Sequence, residues 1–106
     1  MAYLVKRVYT RPNTNVPFFG ATPEAFKAKV DAVLPVINSY KTNGQLLSES
    51  ISFSTDKLTQ TYSALWASKD VYDAYLQDPV MAQYITDRRE YNQANNITIV
   101  DTRNQI

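Results

Sequence analysis

The chain has 106 residues, with 11 Lys and Arg against 10 Asp and Glu, two Gly, five Pro, and neither Cys nor His. Lacking Cys, it has no disulfide, no thiolate nucleophile and no zinc site of the finger type; lacking His, it has neither the usual general base nor the commonest transition-metal ligand. Its formal net charge of +1 leaves no electrostatic footprint for nucleic acid or an anionic membrane.

This length predicts one domain, residues 1–106. Residues Ala2 to Arg11 read as the first strand, with Tyr3, Val5 and Tyr9 in one alternation set and Leu4 and Val8 in the other. Apolar groups on both sides suit a central strand. Pro12 ends it, and an apolar tract, Val16-Pro17-Phe18-Phe19, lies in the loop that follows. Thr22-Pro23-Glu24 is a helix start: a capping hydroxyl, a proline for the first helical position and an acid on the positive end of the dipole. Phe26, Val30, Val33, Ile37 and Tyr40 then form one helical face. Pro35 lies inside this pattern and predicts a kink or a break near Leu34. Asn43-Gly44 is a left-handed terminator.

From Leu46 to Ser54 the alternation is strict, with Leu47, Glu49, Ile51 and Phe53 on one face and four serines on the other. That predicts an edge strand with one wet face. A turn at Thr55-Asp56 returns the chain through Lys57 to Trp66, where Leu58, Tyr62, Ala64 and Trp66 share a face. Ser68 caps a short helix through Val71, Tyr72, Tyr75 and Leu76, and Asp78-Pro79 restarts it. Met81, Tyr84, Ile85, Arg88 and Tyr91 continue the helical period until Asn95-Asn96, and Ile97 to Arg103 form a last strand.

The order is β-α-β-β-α-β. Two right-handed crossovers joined by a hairpin predict a ferredoxin-like α+β fold, a four-stranded antiparallel sheet in order 4-1-3-2 with the helices on one face. Nothing in the chain remains to cover the other face, although the first and last strands carry apolar residues there. A homodimer closing sheet against sheet is therefore expected; the plainer alternative is a modest open face wetted by its Ser and Thr ladder. Charge by Lys6, no signal-like apolar stretch, and no run near the ~18 apolar residues of a membrane span make a cytoplasmic protein the expectation, with no membrane partner.

The run Leu65-Trp66-Ala67-Ser68-Lys69-Asp70-Val71-Tyr72-Asp73-Ala74-Tyr75-Leu76-Gln77-Asp78-Pro79 resembles the strand-to-helix junction of the dimeric α+β barrel superfamily, the antibiotic-biosynthesis-monooxygenase-like proteins, in which the third strand ends in a Trp before a capped helix. With the strand order, the resemblance extends over residues 2–11 and 46–103. The resemblance implies a dimeric barrel: a homodimer with a small apolar cavity between sheet and helices. Some members oxidise aromatic substrates without a cofactor, others degrade haem. The haem-degrading pattern asks for an Asn on the first strand, a Trp closing the third and a His on the next helix. Trp66 meets the second, while the first strand has Lys6 and Arg7 and there is no His, so haem ligation of that kind is excluded and no cofactor is expected.

Polar residues in otherwise apolar alternation sets mark the candidate site. Glu49 stands beside Ile51 and Phe53, and Arg7, Gln60 and Asp101 hold comparable places on their strands. A buried carboxylate needs a partner, which pairs Arg7 with Glu49 or Asp101. Arg7, Glu49, Gln60, Tyr62 and Trp66 are thus candidate cavity-lining residues for a small apolar ligand; the alternative is a polar cluster at a dimer interface or rim, with Trp66 a core anchor. No catalytic or metal residue is assigned. Asp70/Asp73 and Asp87/Glu90 could hold a hard cation in principle but read as solvated helix surface, as does the mixed-sign run Asp87-Arg88-Arg89-Glu90. An RNA-recognition motif shares the strand order, but the third strand has a single aromatic before Trp66 and no Gly, so no nucleic-acid partner is expected. Two functions remain: a non-catalytic structural or interaction module, or a small-molecule-binding or cofactor-independent monooxygenase-like protein.

Overall fold

The computed structural model describes residues 1–20 and 23–106, the side chains of 23–25 apart. It comprises β1 (Tyr3–Thr10), α1 (Pro23–Thr42), β2 (Leu46–Phe53), β3 (Thr59–Trp66), α2 (Lys69–Gln77), α3 (Pro79–Ala94) and β4 (Thr98–Gln105). The strands form one antiparallel sheet in the order β2-β3-β1-β4, the expected ferredoxin-like arrangement with β1 central and β2 at an edge. The Thr22 cap and the Glu24 side chain expected at the start of α1 lie outside what is described.

Local chemistry sets the boundaries. α1 runs through Pro35 as one helix, so of the expected kink or break the break does not occur; Val33 and Ile37 on either side pack inward and keep the helix on the sheet. It ends at Gly44, whose φ of +70° lets the Gln45 N–H reach back to the Tyr40 carbonyl at 2.9 Å. Ser68 Oγ accepts the Val71 N–H at the start of α2. Asp78 serves both neighbours: its own N–H goes to the Tyr75 carbonyl, and its carboxylate accepts from Val80 and Met81 at the start of α3. Asn96, at φ 57°, closes α3 in the manner of a glycine, and Ile97 N–H bonds the Asn92 carbonyl.

The register decides which residues meet. Tyr3, Val5, Arg7 and Tyr9 stand opposite Trp66, Ala64, Tyr62 and Gln60, so all eight share the helix-covered face. On β2 the strict alternation is interrupted: a bulge falls between Leu46 and Ser48, two residues on β2 facing one on β3. Leu46, opposite Trp66, is therefore the buried leucine, and Leu47 is 52% exposed. Beyond the bulge Glu49, Ile51 and Phe53 oppose Ala64, Tyr62 and Gln60 as expected.

The core has two parts. Tyr3, Val5, Leu46, Ala64, Trp66 and Tyr72 cluster beneath α1 and α2. Tyr9, Phe18 and Ile97 form the second, where the loop tract before α1 folds in: Phe18 is buried and Tyr91 Oη donates to the Pro17 carbonyl. The opposite sheet face carries Leu4, Val8, Leu65 and Val100 among serines and threonines, with Val100 62% exposed. Among the described residues no helix is long and apolar enough to cross a membrane.

Candidate functional site

Between the sheet and the helices lies a cavity of about 270 Å³. Its floor is the helix-side row of the sheet: Val5, Arg7 and Tyr9 from β1, Gln60, Tyr62 and Trp66 from β3, Glu49 and Ile51 from β2. α1 contributes Val30, Val33, Leu34 and Ile37; α3 contributes Met81, Tyr84, Ile85, Arg88 and Asn92. Phe19 and Gly20 close the end nearest α1. Gly20 has φ +82° and approaches Tyr84 so closely that a Cβ would stand 2.7 Å from its hydroxyl. Leu34 and Ile51, 42% and 57% exposed, and Glu49 are lining residues that reach solvent.

The five residues marked in the sequence all stand on this wall, each in a different environment. Trp66 is 1% exposed and packs among Tyr40, Tyr72 and Tyr75, with centroids 5.7, 5.2 and 4.5 Å away. Tyr62 Oη donates to Glu49 Oε2 at 2.9 Å, while Glu49 Oε1 takes the Lys41 ammonium at 2.6 Å. Gln60 is half-buried at the β3 end of the row. Arg7 lies over the Tyr62 ring, 4.6 Å from its centroid.

The expected ion pairs of Arg7 do not form. Glu49 is engaged by Lys41, and Asp101, although opposite Arg7 in register, pairs with Arg103 at 3.3 Å. Each carboxylate is instead held by another cation, Glu49 by Lys41 on α1 and Asp101 by Arg103 on its own strand. The run Asp87-Arg88-Arg89-Glu90 is likewise more than surface. Asp87 faces out to Lys29 and Gln83, but Arg88 lines the cavity. Its place in the helical period with Met81, Ile85 and Asn92 was the signal, masked by its charge. Asn92, buried at 3% exposure, carried no such signal because asparagine is ordinarily read as a helix end.

Electrostatics follows from this geometry. Burial pushes the Tyr62 and Tyr75 phenols far above their usual value, with the Glu49 carboxylate adding to the effect at both, so at neutral pH they are protonated donors. Burial, then the neighbouring Arg7 charge, pulls Arg88 below the usual guanidinium value. Four buried polar atoms have no hydrogen-bond partner among the described residues: Arg7 Nε, Trp66 Nε1, Tyr72 Oη and Asn92 Nδ2. All four belong to cavity-lining residues. Of the carboxylates on α2 and α3, Asp73 is held by Lys69 and Asp87 by Lys29, and among the described residues no three acidic groups converge to hold a metal ion.

No protein-family model and no curated protein sequence matches the chain. Solved structures do match, over nearly the whole length. A dimeric ferredoxin-like protein from an uncultured marine organism shares 15% identity at a TM-score of 0.64, covering 100% of this chain and 94% of that one. SnoaB, a cofactor-independent oxygenase from Streptomyces nogalater, shares 13% at 0.60, covering 99% and 92%. A Deinococcus radiodurans protein named as a candidate antibiotic biosynthesis monooxygenase shares 11% at 0.55, covering 97% and 91%. The chain thus has the fold of the antibiotic-biosynthesis-monooxygenase-like and dimeric ferredoxin-like proteins, in keeping with the resemblance at residues 65–79.

Proposed function

We propose that this protein binds a small, largely apolar molecule in the cavity between sheet and helices, and that it does so as a homodimer. The neighbours suit both a non-catalytic module and a cofactor-independent oxygenase. The observation that favours a ligand is the coincidence of an unfilled cavity with four orphaned polar atoms on the residues that line it. An unpaired buried donor costs about 1–3 kcal/mol, and a protein with no use for the space gains by filling it with side chains. The aromatic wall around Tyr62, Trp66 and Tyr75 suits a planar ligand.

Leu4, Val8, Leu65 and Val100 on the uncovered sheet face support the dimer, as do neighbours named dimeric. Arg7, Glu49, Gln60, Tyr62 and Trp66 are assigned as lining residues, with Trp66 and Tyr62 the platform. Calorimetric titration with neutral one- and two-ring aromatics (benzamide, indole, 2-naphthamide) tests the reading. Saturable binding at one molecule per chain, weakened by the cavity-filling substitution Val30→Phe, supports it. Absence of saturable binding across the panel overturns it.

A further inference from the structure

Arginine is unevenly placed in this chain. Of the residues around the cavity, Arg7 and Arg88 also border a second, smaller cavity of about 130 Å³, where Arg89 and Arg103 join them. Two guanidinium groups therefore stand where two helix-side cavities meet and two more line the smaller one, against one carboxylate, Asp101, which Arg103 already holds. On the larger cavity's side the carboxylate is Glu49, taken by Lys41 and Tyr62. Among the described side chains neither Arg7 nor Arg88 has an ion pair or a side-chain hydrogen bond, and Arg7 Nε is buried without any partner.

Two like charges in a partly desolvated space are unfavourable; Arg7 is relieved in part by the Tyr62 ring face and by the Asp101 carboxylate opposite it in register, whereas among the described side chains no carboxylate pairs with Arg88. The direction of the Arg88 shift, downward from burial and from Arg7, expresses the same repulsion. A guanidinium is poorly suited to losing its proton, so the relief must come from an anion. Its planar fork matches a carboxylate in particular. The rest of the larger cavity is aromatic and aliphatic, which suits an uncharged planar body.

We infer that the ligand is an aromatic carboxylate whose ring system lies against Tyr62 and Trp66 and whose carboxylate is held between Arg7 and Arg88. This rests on the cavity reading above and adds the charge of the ligand to it. Calorimetry with an isosteric pair, 2-naphthoate and neutral 2-naphthamide, separates the two. The unaltered protein should bind naphthoate at least about tenfold more tightly at low salt. That preference should shrink as ionic strength rises and should disappear in Arg7→Met and in Arg88→Met. Equal affinity of the unaltered protein for both compounds overturns the anion assignment and leaves the cavity reading standing. Binding of neither compound overturns the anion assignment, and the cavity reading then falls or stands with the rest of the neutral panel. Because the first comparison uses only the unaltered chain, it decides the matter even where a variant fails to fold.

Discussion

Arg7 and Tyr62 face each other across the β1–β3 register, the guanidinium carbon 4.6 Å from the ring centroid, so the charge rests on an aromatic face rather than against a carboxylate. The same Tyr62 donates its hydroxyl to Glu49, and Arg7 lines the cavity without a carboxylate of its own. The ring is thus the structural support of the cationic wall, and its hydroxyl is secondary.

Separating the two roles is direct. Tyr62→Phe keeps the ring and loses a partly exposed hydrogen bond to a carboxylate that Lys41 still holds, so its cost in urea denaturation should be below about 1 kcal/mol. Tyr62→Leu also removes the face under Arg7 and should cost about 1–2 kcal/mol more. Equal losses for both variants would refute the ring's role.

Trp66 is the single tryptophan and anchors the larger core cluster. Trp66→Ala, followed by far-ultraviolet circular dichroism since the fluorescent reporter goes with it, should destabilise the fold by about 3–5 kcal/mol. A loss under about 1 kcal/mol contradicts its burial among Tyr40, Tyr72 and Tyr75.

Asp78 ends one helix and begins the next through its backbone N–H and its carboxylate respectively. Asp78→Ala removes only the carboxylate, and a loss of about 1 kcal/mol is expected, whereas Asp78→Asn should retain most of the stability. Identical behaviour of the two variants would exclude the capping role.

Alkaline titration reads the buried phenols. Burial raises Tyr62 and Tyr75 above the ordinary value near 10, so their contribution to stability is complete below pH ~10 and is lost as pH climbs toward their folded-state values. Absorbance at 295 nm should show tyrosines that stay protonated in the native protein at pH 11 and ionise at once on adding urea. Complete ionisation of native protein at that pH is the contrary result.

Val8 projects from the uncovered sheet face, opposite Thr61 and Val100. If a second copy covers that face, Val8→Glu should convert the protein from twice the 12.1 kDa chain mass to the chain mass in sedimentation equilibrium, with the circular dichroism spectrum kept. A native protein that already sediments as a single chain refutes the dimer.

The order of elements, the hairpin, the Asp78-Pro79 restart and the sheet topology were legible in the chain, because each rests on local chemistry: alternation, helical period, caps and the handedness of crossovers. So was the row Arg7, Glu49, Gln60, Tyr62 and Trp66, since strand alternation fixes which side chains share a face. Three features were decided by packing at a distance. The bulge at Leu47 depends on how β2 meets β3 and exchanged one buried leucine for another. Pro35 was accommodated within α1 because the helix's apolar face is held on both sides of it. The partners of Arg7 were settled by competition, Lys41 reaching Glu49 and Arg103 reaching Asp101 first. Composition had shown a nearly neutral chain without His or Cys. Only the tertiary structure brings four of its arginines together around space that side chains leave unfilled, because charge is summed along a sequence but acts through distance in a fold.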